Sequence, residues 1–225
     1  MTVIVTDSTA DIPPALAKAL DIHVIPLLVN FGSESFADGV EITNDQFYRK
    51  LTEANDLPTT SQPSVGAFEA LYRQVGSPAE PIISIHIAAQ LSGTIRSAQQ
   101  AKALLPDFDI RVVDSESTTM SLGWAVIVAA RAAKAGKSPD EIVALTERVV
   151  KRTRLLAGLD TLRFLEKGGR IGKTRALLGT LLSVKPIINV LEGEVRPFEQ
   201  VRTKKKVVAR ILEVAKELAP FDELC

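Results

Sequence analysis

Residues 82–100 read IISIHIAAQLSGTIRSAQQ. The apolar run IISIHIAA has the length and β-branched content of a buried strand. It stops at Gln-Leu-Ser-Gly-Thr, and an Ala- and Gln-rich stretch of helical character begins at once. A strand that hands over directly to a helix is the unit of an α/β fold. Ser92, Gly93 and Thr94 stand at the handover. Hydroxyls in that place either cap the helix or, with the N–H groups of its first turn, receive an anion.

The same alternation extends in both directions. Residues 3–5 are a β-branched run that ends in Thr6-Asp7-Ser8-Thr9, and Pro13 and Pro14 open a helix. Residues 23–29 predict a second strand. Thr43-Asn44-Asp45 caps one helix and Ser64 another. A strand over 82–87 leads to a helix over 94–105. A strand over 110–113 leads to a helix over 121–135, and Ser138-Pro139-Asp140-Glu141 starts the next. This predicts an α/β unit with a mainly parallel sheet and flanking helices over residues 1–152.

From residue 153 the character changes. A strand over 155–158, a short helix ending at Gly168-Gly169, a helical stretch over 174–180, a hairpin around Glu192-Gly193 and a basic helix over 203–218 predict a second, smaller α/β domain over 153–225. That unit is small for a self-sufficient fold and is expected to be truncated at its C-terminal end.

Lys+Arg and Asp+Glu both number 27, so the formal net charge is zero and points to neither nucleic acid nor membrane. The start MTVIVTDS has no basic region before an apolar stretch, which argues against a signal peptide. No apolar run approaches the roughly 18–20 residues of a membrane span. Cys225 is the single cysteine, so a reducing cytoplasm is expected.

In an open parallel sheet, ligands bind beyond the carboxyl ends of the strands. Here those ends carry Asp7-Ser8-Thr9, Ser92-Gly93-Thr94 and Asp114-Ser115-Glu116-Ser117-Thr118-Thr119, and a loop, Thr59-Thr60-Ser61-Gln62-Pro63-Ser64, adds more hydroxyls. Four such segments on one rim favour a shared cleft for a phosphate or carboxylate over four unrelated caps. Asp7 and Asp114 read as turn caps or, less simply, as metal ligands. His86, inside an apolar strand, reads as a hydrogen-bonded core histidine. No Ser-His-Asp set and no metal-ligand spacing emerges.

Lys167-Gly168-Gly169-Arg170-Ile171-Gly172-Lys173-Thr174 resembles a phosphate-binding P-loop but has Lys167 where the motif needs glycine, and its lead-in is helical. The glycines instead turn the backbone and project Arg170, whose guanidinium suits a carboxylate or phosphate. Arg202-Thr203-Lys204-Lys205-Lys206 puts positive charge at a helix N-terminus and suggests an anionic ligand or acidic partner. No aromatics interleave with it, so nucleic acid is not supported.

Taken together, Thr6-Asp7-Ser8-Thr9-Ala10-Asp11-Ile12-Pro13, Thr60-Ser61-Gln62-Pro63-Ser64, Leu91-Ser92-Gly93-Thr94, Asp114-Ser115, Gly168-Gly169-Arg170-Ile171-Gly172 and Lys185-Pro186-Ile187 resemble, in that order, the DegV family. Ala88-Ala89 replace the two serines that usually precede Leu-Ser-Gly-Thr there, and Ile95 replaces a frequent tyrosine. The resemblance implies a bacterial, cytoplasmic, two-domain α/β carrier that holds one long-chain fatty acid between its domains. It implies no cofactor beyond that ligand, no acid/base or nucleophilic site of its own and no stable membrane insertion. It also implies a partner, a fatty acid kinase protein that supplies ATP and converts the presented carboxylate to an acyl phosphate. By the same resemblance Thr60, Ser61, Ser92, Gly93 and Thr94 bind the carboxylate, and Arg170 and Arg202 face the head group or the kinase. Residues alone leave open the alternative of an enzyme or binding protein for a small phosphorylated or carboxylated metabolite.

Overall fold

The computed structural model describes residues 1–54, 56–180 and 184–221, so Cys225 lies outside the described residues. The chain divides into two compact units, residues 1–153 and 154–225.

In the first unit β1 (Val3–Asp7) is followed by a 3-10 turn at Ser8–Ala10, α1 (Pro14–Leu20), β2 (Ile22–Ile25), β3 (Leu28–Phe31), β4 (Glu34–Ala37), α2 (Asn44–Glu53), β5 (Thr59–Ser61), α3 (Val65–Val75), β6 (Ile82–His86), α4 (Thr94–Ala103), β7 (Ile110–Asp114), α5 (Thr119–Lys134) and α6 (Pro139–Arg152). Four strands form a wholly parallel sheet in the order β2-β1-β6-β7. The mainly parallel α/β fold expected from residues 82–100 is therefore present.

β6 is buried at every residue, as an interior strand covered on both faces must be. Its alternate residues enter two separate cores. Ile83 and Ile85 pack with Ile4, Leu122, Val126, Ala129 and Ile142, beneath α1, α5 and α6. Ile82 packs with Val5, Phe68, Tyr72, Ala98 and Ile110, beneath α3 and α4. The small residues of α5 let it lie close to the sheet. A Cβ on Gly123 would stand 2.5 Å from the carbonyl oxygen of Ala10, so only glycine fits there.

Two expectations need correction. Residues 23–29 are not one strand. β2 ends at Ile25, Pro26 has no N–H to continue the ladder, and β3 joins a different sheet. Residues 59–64 are not wholly a loop, because Thr59–Ser61 form β5. β4, β3 and β5 make a small antiparallel sheet in that order, with Leu28 opposite Ser61 and Val29 opposite Thr60.

In the second unit β8 (Leu155–Gly158), α7 (Arg163–Lys167), a 3-10 stretch at Gly172–Thr180, β9 (Lys185–Leu191), β10 (Glu194–Val201) and α8 (Lys204–Leu218) follow. The sheet is antiparallel, in the order β10-β9-β8. The hairpin turns at Glu192 and Gly193, both left-handed at φ 53° and 76°, as a tight two-residue connection requires. Among the described residues no helix is long and apolar enough to cross a membrane.

Candidate functional site

The carboxyl ends of the parallel strands align. Asp7 ends β1 opposite Ile25, and His86 ends β6 opposite Asp114. The antiparallel sheet is attached at this rim. The Ser8 hydroxyl accepts from the Leu27 N–H at 3.1 Å, and Leu28 is paired with Ser61. Thr60 and Ser61 thus arrive at the carboxyl end of the sheet on a strand. Thr60 is exposed and Ser61 half-buried, and the Ser61 hydroxyl accepts from Asn30 Nδ2 at 3.1 Å. That bond leaves the Ser61 proton available to an acceptor.

The Ser92 turn is suspended over the same rim by backbone bonds. Asp7 Oδ2 accepts from the Ile87 N–H at 3.0 Å, the Ser117 carbonyl from Ala88 at 2.9 Å, and Asp114 Oδ2 from Ala89 at 3.2 Å. The Leu91 and Ser92 N–H groups then turn back to the Ala88 carbonyl at 2.9 and 3.1 Å. Asp7 and Asp114 act as turn caps, since they also receive the N–H groups of Thr9 and Glu116. Among the described residues no group of three or more His, Cys, Asp or Glu side chains is placed to hold a metal.

The handover from turn to helix differs from the expected cap. Gly93 is the N-cap of α4 and brings no side chain, while Thr94 is already helical and fully buried. Ser92 Oγ accepts from the Thr94 N–H at 3.3 Å and lies 2.9 Å from Thr94 Oγ1. Thr94 therefore orients Ser92, and Ser92 is half-buried with one face outward. The Gln62 amide lies against Gly93, where an added Cβ would meet Nε2 at 2.7 Å. That contact ties the Thr60-Ser61 segment to the Ser92 turn. Gln62 is not among the residues the sequence singles out; its place between Ser61 and Pro63, just before the cap of α3, is the signal for it.

Arg170 and Arg202 are in the second unit. Arg170 is exposed and donates through Nη1 to the Gly168 carbonyl at 2.6 Å, next to the left-handed Gly169. Residues 167–174 join α7 to a 3-10 stretch, which is not the strand-to-helix setting of a P-loop. Arg202 is exposed beside Thr203, whose hydroxyl caps α8 by accepting from Lys206. Lys204, Lys205 and Lys206 occupy the exposed first turn of that helix.

His86 is the hydrogen-bonded core histidine expected, within a buried trio that the sequence spacing does not reveal. Ser84, His86 and Asp7 do stand in Ser-His-Asp order. Ser84 Oγ is 2.6 Å from His86 Nε2, and His86 Nδ1 is 3.0 Å from Asp7 Oδ2. Tyr72 extends the chain, with its hydroxyl 2.8 Å from Ser84 Oγ. Burial pushes the Asp7 carboxyl up, but the hydrogen bonds from His86, Thr9 and Ile87 outweigh it and hold the carboxyl below its usual range. With an ionised acceptor at Asp7, His86 donates through Nδ1, and Ser84 Oγ bridges His86 Nε2 and the Tyr72 hydroxyl. Burial pushes the Tyr72 hydroxyl up, so it remains a donor. All four side chains are excluded from solvent, so Ser84 has no open side from which a substrate could approach.

A family model described as "Uncharacterised protein, DegV family" matches residues 1–223. The chain belongs to the DegV family. Protein DegV of Bacillus subtilis is 38% identical over 215 residues, covering 95% of this chain and 76% of that relative. Solved structures agree in fold. A fatty-acid-binding DegV family protein of Thermus thermophilus matches at 36% identity with a TM-score of 0.88, over 96% of this chain and 77% of its own. A stearic-acid-binding protein of Eubacterium ventriosum matches at 31% identity with a TM-score of 0.89, over 97% and 76%.

Proposed function

We propose that the chain binds one long-chain fatty acid, holds its carboxylate on hydroxyls of Thr60, Ser61 and Ser92 and on backbone near Gly93, and presents it to a partner kinase. Thr94 serves by orienting Ser92. The partner transfers the γ-phosphoryl group of ATP to a carboxylate oxygen, releasing ADP and leaving an acyl phosphate. Arg170 and Arg202 face the head group or the kinase, and the chain works in a reducing cytoplasm without a cofactor.

The observation that carries this reading is the junction of β5 with the Ser92 turn. Two hydroxyl segments separated in sequence meet at the carboxyl rim through Gln62 and Gly93. A carboxylate suits hydroxyl donors at a helix start. The relatives described as fatty-acid-binding supply the ligand class. The sealed Ser84 hydroxyl favours a carrier over an acyl-transfer enzyme.

Native mass spectrometry of the purified chain tests it. A co-purifying C16–C18 fatty acid, or uptake of added palmitate by delipidated protein, is expected. A folded protein that stays empty after palmitate is added overturns the reading. With a reconstituted kinase, Arg170→Ala is expected to lower acyl phosphate yield.

A further inference from the structure

His86 is six residues from Ser92 and is sealed from solvent, so it touches no ligand. Its ring nonetheless contacts residues that are joined to each segment of the proposed site. Through Nδ1 it binds Asp7 Oδ2, the oxygen that also receives the Ile87 N–H at 3.0 Å. Ile87 is the first residue on the path from β6 to Ser92. Through Nε2 the ring binds Ser84, and Ser84 binds Tyr72 on α3. Phe68, also on α3, meets the imidazole edge-on, with centroids 5.1 Å apart at 87°. α3 is the helix that Ser64 caps, directly after the segment carrying Thr60, Ser61 and Gln62.

We infer that His86 is a positioning residue that sets the distance between the Thr60-Ser61 side and the Ser92 side of the carboxylate site. An imidazole carries two polar atoms at opposite ends of a rigid ring, so it fixes both neighbours at once. Rotating or shortening it lets α3 and the Ser92 turn drift independently. A hydroxyl site loosened by a fraction of an ångström binds its ligand less tightly while the fold persists. This inference rests on the carboxylate reading above.

The chemistry allows the ring to be dissected. Asn in place of His86 keeps a donor near the Nδ1 position, and Gln keeps a polar atom near Nε2. The dissociation constant for palmitate is measured on delipidated protein for wild type, His86→Asn, His86→Gln, Ser92→Ala and a core control, Ile142→Val, each with its melting temperature. Both His86 variants are expected to weaken binding about three- to tenfold. Ser92→Ala is expected to weaken it about tenfold, and Ile142→Val to bind as wild type despite a lower melting temperature. If Ser92→Ala weakens binding while both His86 variants bind as wild type, His86 is a core residue only and the inference falls, with the site intact. If Ser92→Ala binds as wild type, the carboxylate reading itself falls. Should the His86 variants fail to fold, Tyr72→Phe and Ser84→Ala each remove one hydroxyl from the same chain; affinity unchanged in both overturns the inference, and a loss of about twofold or more in either supports it.

Discussion

His86 Nδ1 lies 3.0 Å from Asp7 Oδ2, with neither side chain reaching solvent. The two residues are 79 positions apart, and only the parallel pairing of β1 with β6 brings them together. The Asp7 carboxylate spends all its acceptor capacity inside the protein, on Thr9, His86 and Ile87.

Asp7→Asn is expected to cost about 3 kcal/mol at pH 7, because a buried ionic acceptor is replaced by an amide facing the same donors. The pH dependence changes too. The folded carboxyl of Asp7 sits below its usual value, so its contribution is complete above the unfolded value of about 3.9 and is lost as pH falls through the folded value. Thermal melts between about pH 2.5 and 7 should therefore show a steeper acid decline in wild type than in Asp7→Asn. Parallel curves would contradict the assignment.

Ser92→Ala removes an acceptor at 3.3 Å from the first N–H of α4 and a hydroxyl partner of Thr94. A stability loss of about 1 kcal/mol is expected, in the range of a lost helix cap. A larger effect on binding than on folding, read by calorimetry with palmitate against a urea titration, distinguishes a ligand contact from a cap.

Gly93→Ala and Gly123→Ala should differ sharply. At Gly93 the new methyl meets the far end of Gln62, which can swing away. The stability cost there should be under about 1 kcal/mol, with palmitate affinity lowered because Gln62 leaves its seat. At Gly123 the methyl meets the Ala10 backbone, which cannot move without disturbing β1, and a loss of about 2–3 kcal/mol is expected. Equal losses in chemical denaturation would refute this contrast.

Ser138→Ala breaks the reciprocal cap at the start of α6, where Ser138 receives the Glu141 N–H and Glu141 Oε2 receives the Ser138 N–H at 2.9 Å. About 1 kcal/mol is expected, or a fall of about 2–4 °C in melting temperature, with palmitate binding unchanged.

The sequence exposes much of this architecture because strands such as β6 carry an apolar pattern no surface segment would tolerate. Caps at Thr43, Ser64 and Ser138 are equally legible, since each serves the helix immediately beside it. β5 is not legible. Three polar residues form a strand only because Leu28, some thirty positions earlier, presents a free edge. The break at Pro26 is visible as a residue, but whether the chain resumes in the same sheet depends on tertiary pairing. The four-residue chain from Tyr72 to Asp7 is hidden for the same reason. One hint remained in the apolar run itself: Ser84 and His86 are two apart, so a strand must aim both at one face. A hydroxyl and an imidazole sharing a dry face imply that they satisfy each other.

β1 is the first strand of the chain yet an interior strand of its sheet, flanked by β2 on one side and β6 on the other. During synthesis its second edge stays unpaired until residues 82–86 have emerged, and the sheet's far edge waits for residues 110–114. Residues through His86, about two-fifths of this sequence, must leave the ribosome before β1 has both of its neighbours. Nascent chains arrested before β6 should expose an apolar strand edge and depend on chaperones, whereas chains arrested beyond β7 should protect it.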